Sequence, residues 1–226
     1  MRTTVFSQSL ANQTAKALYD TGSYLVDFSR PREDWFVWKS GIKAPVYCNC
    51  RYLNTSYEAY ELCASFFEEI VRIAYPDAQL IVGLATAGIP WAARVASKTH
   101  LPMCFVRSVE KAHGIGKLVE CNPPKGLRAV IIDDLCSSGG SIEKAIDALQ
   151  EEYQITTLGF VTVTNWCFDS MWKRFDPRDL RILSLTSYPN ILDVGVQLGK
   201  LTREEASMLL EFYRTPSSYS WPFLGR

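Results

Sequence analysis

Apolar positions follow two different periods along this chain. Between residues 56 and 75 they fall at Tyr60, Cys63, Phe67, Ile70, Val71 and Ala74, the i, i+3, i+4, i+7 spacing that gives a helix one buried face. Ser56 stands where a cap is needed and Pro76 where the helix must stop, so the pattern predicts a long helix between them. An earlier amphipathic stretch, Ser9 to Thr21, is closed by Gly22. Residues 35–47 are rich in aromatic and turn residues, and the Ser40-Gly41 and Ala44-Pro45 breaks predict short strands joined by a turn.

From Leu80 the rhythm shortens. Leu80–Leu84, Met103–Val106, Ala129–Ile132, Leu158–Thr164 and Arg181–Leu185 read as strands, with helices at Trp91–Thr99 and Ile142–Glu152. Near-continuous apolar strands alternating with helices predict an α/β protein built on a mostly parallel sheet. The C-terminal region closes with helices, where Thr202 and Glu205 have the spacing of a capping box ahead of Ala206, Leu209, Leu210 and Tyr213. No internal repeat and no long linker divides the 226 residues, so one domain is expected.

Charge narrows the partners: 24 Lys and Arg balance 24 Asp and Glu. Without excess positive charge to neutralise phosphates, nucleic acid is a poor candidate and a small molecule a better one. Hydrophobic residues at 47% and charged residues at 21% exclude a disordered chain. Seven cysteines, scattered through apolar stretches such as Met103-Cys104-Phe105, suit reduced, core-filling thiols better than a disulfide framework. Cys48-Asn49-Cys50 has no second CxC or CxxC pair to complete a zinc site, and His100 and His113 are the only histidines, so no structural metal is expected. Residues 2–28 hold no continuous apolar run of a signal peptide. Leu80–Ala96 is broken by Gly83, Gly88, Pro90 and Arg94, which does not make the roughly 20 apolar residues of a membrane span. The expectation is a cytoplasmic protein without membrane contact.

The chemistry concentrates in Arg128–Lys144. An apolar strand delivers Asp133 and Asp134 to its carboxyl end, and a Ser- and Gly-rich loop, Leu135 to Ser141, runs straight into a helix. Ligands of open α/β sheets bind outside the carboxyl ends of the strands. The two glycines let backbone N–H groups turn inward and the helix adds the positive end of its dipole, an anion site suited to phosphate. The carboxylates suit vicinal hydroxyls or a developing cation instead, so the ligand described is a sugar phosphate with free hydroxyls. Either feature alone merely ends a strand or makes a turn; their combination in one run is specific. The patterns of a Walker P-loop and of a dinucleotide fold are both missing.

Val130–Ser141 resembles the 5-phosphoribosyl-1-diphosphate (PRPP) signature of type I phosphoribosyltransferases. Phe36–Arg51 is similar to the N-terminal F-x-x-x-S-G-x-x-S-P-x-Y segment of the orotate phosphoribosyltransferase family, Gly83–Pro90 to its diphosphate-side loop, and Arg107–Gly116 to its mobile catalytic loop. Ser184–Tyr188 and the tail to about Pro216 look like the C-terminal part of its bacterial branch. The resemblance is colinear over nearly the whole chain. It implies the type I phosphoribosyltransferase fold, α/β with a mostly parallel central sheet flanked by helices and a small N-terminal hood from about residues 1–55. It implies transfer of phosphoribose from PRPP to orotate, giving orotidine 5′-monophosphate and diphosphate in pyrimidine biosynthesis.

By the same resemblance, PRPP would be held by Arg107, Lys111, His113, Asp133, Asp134, Leu135, Cys136, Ser137, Ser138, Gly139, Gly140 and Ser141, with Thr86 and Ala87 on the diphosphate side. Ser137, Lys39 and Tyr47 would meet orotate. Arg107, Lys111 and His113 would be catalytic, on a segment whose Gly114 and Gly116 permit a lid to move. In the family this loop reaches across a dimer interface, which implies a homodimer with shared sites. Mg²⁺ would bridge diphosphate oxygens and ribose hydroxyls without a dedicated carboxylate cage.

Several positions keep a plainer reading. Lys39 is either a solvated loop lysine or a ligand, Tyr47 either core or ligand, and Lys111 either a solvated charge or, in its Lys-x-His-Gly context, catalytic. His100 and Arg94 read as structural. Ser108 and Val109 stand where the family often has a second loop lysine, and Thr164-Asn165-Trp166 where some members carry an Asp-Arg pair that grips the orotate carboxylate. Cys121 replaces a common glycine, and Cys136 and Ser138 alter the loop wording. Two other functions therefore stand beside the first: transfer to another nucleobase, and a non-catalytic PRPP sensor. Activity with orotate against uracil, adenine and xanthine separates the first two. The sensor would normally bring a nucleic-acid-binding segment, and this chain has no basic stripe.

Overall fold

The computed structural model describes residues 3–38, 41–107, 117–214 and 216. Its centre is a five-stranded sheet built from β5 (Leu80–Leu84), β6 (Met103–Val106), β7 (Arg128–Cys136), β8 (Thr156–Asn165) and β9 (Arg181–Ser187). The strands lie in the order β6-β5-β7-β8-β9 and every pairing is parallel. The apolar runs are explained by burial on both faces. Ile81, Val130, Ile132, Val161 and Val163 enter one core, and Leu80, Val82, Ala129, Ile131 and Phe160 enter the other.

The first core is covered by helices α1 (Gln8–Asp20), α2 (Tyr57–Ala74), α3 (Gly88–Thr99), α6 (Tyr188–Gln197) and α7 (Arg203–Arg214). The second is covered by α4 (Gly140–Tyr153) and α5 (Asp169–Phe175). Phe67 and Trp91 are fully buried in the first core, and removing such a side chain from water contributes about 1.5–3 kcal/mol. Short antiparallel pairs precede the sheet: β1 (Tyr24–Val26) with β4 (Val46–Cys48), and β2 (Phe36–Val37) with β3 (Lys43–Ala44). Trp38, just after β2, meets Trp166 beyond the end of β8 edge-on at 4.7 Å and Phe212 of α7 at 5.5 Å.

The helix signals are realised in atoms. Ser56 Oγ accepts the Ala59 N–H at 3.3 Å, and Thr202 and Glu205 cap each other reciprocally at 3.1 and 2.9 Å. Gly22 takes φ +67° after α1. His100 ends α3 in the left-handed conformation, and Arg94 pairs with Glu61 on α2 at 2.6 Å. Several boundaries differ from expectation, most by one or two residues. Helix α3 starts at Gly88 and not Trp91, because Pro90 lies in the first turn, where its missing N–H is not needed. Strand β7 runs on through both aspartates to Cys136, since Leu135 and Cys136 remain paired with Thr164 and Asn165 of β8. Helices α5 and α6 were not resolved individually in the sequence; α6 begins Tyr188-Pro189 directly after β9, with no linker to announce it. Cys121 is exposed and fills no core, unlike the other six cysteines, which are buried or half-buried. Among the described residues no helix is long and apolar enough to cross a membrane.

A glycine enforces one register. The β7–β8 pairing shifts between Ala129 and Val130, opposite Gly159, and a Cβ on Gly159 would lie 2.0 Å from the Arg181 carbonyl oxygen of β9. Tyr75 donates its hydroxyl to that same carbonyl at 2.7 Å from beneath. Gly159→Ala is expected to destabilise the protein by about 1–3 kcal/mol, read in denaturant unfolding as a lower midpoint with an unchanged m-value.

Candidate active site

The strand order contains a reversal. From β5 the chain passes to β6 on one side and then crosses to β7 on the other, so a crevice opens between the carboxyl ends of β5 and β7, the place where open α/β sheets bind ligands. Gly88 makes the crevice tight. A Cβ there would lie 2.6 Å from the Ile132 carbonyl oxygen and 3.0 Å from Asp133 Oδ1. The turn carrying Thr86 and Ala87 is thereby pressed against Asp133, with Thr86 exposed and Ala87 half-buried.

Asp133 is buried, and its Oδ1 accepts the Asp134 N–H at 2.9 Å. Burial, and then the neighbouring Asp134, pushes its carboxyl well above the usual carboxylate range. Burial raises Asp134 as well, opposed by the Asp133 side chain, the Leu135 N–H and the Arg51 guanidinium. The pair is thus a site whose charge is poorly compensated by the protein itself, and it favours a ligand that brings hydroxyl donors or positive charge.

Beyond β7, Ser137, Ser138 and Ser141 are exposed around Gly139 and Gly140, at the start of α4. Gly139 has φ +79°, and a Cβ on it would lie 2.3 Å from the Phe175 ring, so the loop can turn there only without a side chain. Arg174 on α5 holds the loop from outside: its Nε–H donates to the Ser138 carbonyl at 3.0 Å and its guanidinium pairs with Glu143. A cleft of about 570 Å³ is lined by Arg107, Asp133, Leu135, Cys136 and Ser137–Ser141, together with Lys144 and Arg174. Arg107 reaches it from the end of β6, where it also pairs with Glu120 at 3.1 Å.

A second pocket of about 400 Å³ adjoins the cleft and shares Leu135, Ser137 and Ser138 with it. Its remaining walls are aromatic and apolar, with Trp38, Tyr47, Trp166 and Phe168 among them. Tyr47 is half-buried and stacks on Phe36 at 5.6 Å. The arrangement can hold an anionic sugar phosphate on one side of Ser137 and a flat ring on the other.

The structure therefore brings Arg107, Asp133 and Leu135–Ser141 into one cleft, and Tyr47 and Ser137 into the adjoining pocket. Asp134 does not line the cleft; its charge is felt by Arg51 and Cys50, at the start of the 3₁₀ turn Cys50–Thr55. Lys39, Lys111 and His113 lie outside the described residues. Sequence reasoning missed Trp38, Phe168, Arg174, Lys144 and Arg51 as site residues. Trp38 and Arg51 stood inside the quoted N-terminal segment, but nothing in sequence shows that it folds over the end of β8. Trp166, in the sequence part of a departure from the family pattern, forms a wall of the pocket.

Comparison with known proteins agrees with this geometry. Residues 53–179 match the family described as the phosphoribosyl transferase domain. The orotate phosphoribosyltransferase of Halalkalibacterium halodurans is 37% identical over 188 residues, 83% of this chain and 89% of that protein. That of Bacillus subtilis is 36% identical over 215 residues, 95% and 97% of the two chains. The crystal structure of orotate phosphoribosyltransferase from Aeropyrum pernix superposes with a TM-score of 0.71 at 28% identity, over 83% of this chain and 98% of that one.

The raised carboxyl of Asp133 gives a stability prediction. Its folded state holds a proton more tightly than the unfolded chain, whose aspartate titrates near ~3.9, so stability falls as pH rises through the folded value. Asp133→Asn keeps the acceptor for the Asp134 N–H and removes the charge. It is expected to leave stability nearly unchanged at about pH 4 and to raise it by about 1–3 kcal/mol at pH 8, measured by denaturant unfolding at both pH values.

Proposed function

We infer the reaction of this site from its family: the chain belongs to the orotate phosphoribosyltransferases. We propose that it transfers the 5-phosphoribosyl group of PRPP to orotate, releasing diphosphate and forming orotidine 5′-monophosphate for pyrimidine biosynthesis. The observation that carries this reading is the pair of adjoining pockets, one polar and glycine-lined, one aromatic, with Ser137 on the shared wall.

In this reading the N–H groups of residues 137–141 and the amino end of α4 bind the 5-phosphate. Asp133 and Asp134 accept hydrogen bonds from the ribose hydroxyls and face the positive charge that develops on the ring as the bond to diphosphate breaks. Ligand hydroxyls relieve the burial that raises both carboxyls. Thr86 and Ala87, beside Asp133, are the diphosphate side. Arg107, Lys111 and His113 stabilise the charge of the departing diphosphate, an interaction stronger in the transition state than in the ground state. The base lies between aromatic walls, held by Ser137, Tyr47 and Lys39, with its attacking nitrogen turned toward the ribose.

Mg²⁺ fits the residues present. The ion keeps several waters and takes substrate oxygens as ligands, so it needs few protein carboxylates. Asp133 and Asp134, whose charge the protein leaves poorly compensated, are the residues that would help hold it, and it would supply charge neutralisation for the diphosphate. A cytoplasmic homodimer, in which segment 108–116 serves the partner's site, and a single domain with residues 1–55 as a hood complete the proposal.

Orotate loss followed by ultraviolet absorbance, with PRPP and Mg²⁺ and with the metal chelated, tests the reaction; metal-dependent loss is expected, and turnover of uracil, adenine or xanthine in place of orotate overturns the base assignment. Lys111→Ala is expected to lower turnover about 10²–10³-fold while PRPP binding, measured by calorimetry, stays within a few-fold. Unchanged turnover removes Lys111 from catalysis. The double variant Asp133→Asn, Asp134→Asn is expected to weaken productive PRPP binding, seen as a raised KM for PRPP.

A further inference from the structure

We propose that Cys104 and Cys121 are a reversible disulfide site that staples together the two strands flanking segment 108–116. Neither cysteine has a part in the reaction described above. Cys104 lies on β6, at the edge of the sheet, and residues 118–120 return antiparallel beside it. The Arg107 N–H donates to the Leu118 carbonyl at 3.0 Å, the Glu120 N–H donates to the Phe105 carbonyl at 2.9 Å, and Val106 bridges Val119. Continued two residues beyond that bridge, the same register would set Cys121, where the returning chain bends, opposite Cys104. Because the hydrogen bonds belong to residues 105 and 120 and to 107 and 118, Cys104 and Cys121 in that register would form a non-hydrogen-bonded pair. That is the closer of the two antiparallel arrangements, about 4.5 Å between Cα atoms, within the roughly 4.4–6.8 Å that a disulfide spans. The Cys121 thiol donates to the Met103 carbonyl at 3.9 Å, which brings its sulfur beside the residue next to Cys104.

The surroundings keep them there. The Cys121 carbonyl accepts the Tyr153 hydroxyl at 2.9 Å, Glu152 accepts the Leu118 N–H at 2.9 Å, and the Lys117 ammonium stands 4.5 Å over the Tyr153 ring. The end of α4 thus clamps the returning strand, while β5 holds β6. The pair is also asymmetric in access: Cys121 is exposed and Cys104 is buried. Burial pushes the Cys104 thiol up to about 12, so exchange starts at Cys121.

With glutathione disulfide as oxidant, the Cys121 thiolate attacks one sulfur and expels one glutathione thiolate. Cys104 then gives up its proton, and its sulfur attacks Cys121 Sγ and expels the second glutathione. Two protein thiols are oxidised and one glutathione disulfide is reduced to two thiols. Cys48 and Cys50, 3.6 Å apart, are the competing pair. A bond there would span a single residue and constrain almost no chain, and Cys50 is held protonated by its contact with Cys48 and by burial.

The test is incubation of the native protein with glutathione disulfide, followed by thiol counting, peptide mapping under alkylation, and thermal unfolding. Two of the seven thiols are expected to disappear into a Cys104–Cys121 cross-linked peptide. The Tm should rise by about 5–10 °C, as for closure of a loop of roughly 15 residues, and dithiothreitol should reverse both. Cys121→Ser, an exposed substitution compatible with the fold, should lose no thiol pair and show no Tm rise. The proposal is overturned if seven thiols persist, if Cys121 ends as a stable mixed disulfide with glutathione, if the bond forms between Cys48 and Cys50, or if the Cys104–Cys121 bond leaves the Tm unchanged.

Discussion

Asp133 is an ionisable side chain held at the carboxyl end of a buried parallel strand, and the surrounding structure is arranged around that placement. Strand β7 stays paired with β8 past the aspartates to Cys136, which fixes the Asp133 backbone in the sheet. On the other side, Gly88 lets the amino end of α3 come so close that even a methyl group would overlap the Ile132 carbonyl. The result is a carboxyl whose ionisation is suppressed by burial. Proteins keep such groups where a ligand supplies what the fold withholds. In the proposed reaction that supply is ribose hydroxyls and a developing positive charge.

The remainder of the site is built on rigid elements around this point. The loop 137–141 is fixed by a left-handed glycine packed on Phe175 and by Arg174 on its carbonyl. The aromatic pocket is assembled from distant parts of the chain: Trp38 and Tyr47 from the N-terminal strands, Trp166 and Phe168 from just beyond β8. Trp166 also stacks on Tyr188 at 4.4 Å, and Tyr188 on Tyr213 at 5.2 Å. The pocket wall is therefore continuous with the packing of α6 and α7, and a base-sized ring would rest on a surface that the core already immobilises. Preorganisation of this kind lowers the entropy lost on binding.

The edge strand β6 links this scaffold to segment 108–116. One end of that segment leaves from Arg107, in the cleft, and the other returns to a strand clamped by Glu152 and Tyr153 of α4. The proposed thiol pair sits two residues from the nearest backbone bridge, outside the cleft. Its effect would be on the anchorage of the segment and not on the substrates.

Much of the architecture was legible in the sequence because its signals are local. The apolar runs at 80–84 and 129–132 are strands buried on both faces and that at 103–106 is a half-buried edge strand; Ser56 and the Thr202–Glu205 pair cap helices through atoms within three residues. The Asp-Asp and Ser-Gly-Gly run lies within a single strand–loop–helix, so its placement at a strand's carboxyl end followed from sequence alone. What sequence could not decide is long-range. The order β6-β5-β7, which opens the crevice beside Asp133, depends on which side of β5 each crossover packs. The meeting of Trp38 with Trp166 depends on how the N-terminal strands pack against the end of β8, and the pairing proposed for Cys104 and Cys121 depends on strand register. Local propensity and spacing are properties of neighbours in the chain, whereas crevices, shared pocket walls and cross-strand pairs arise only when the sheet faces are buried together.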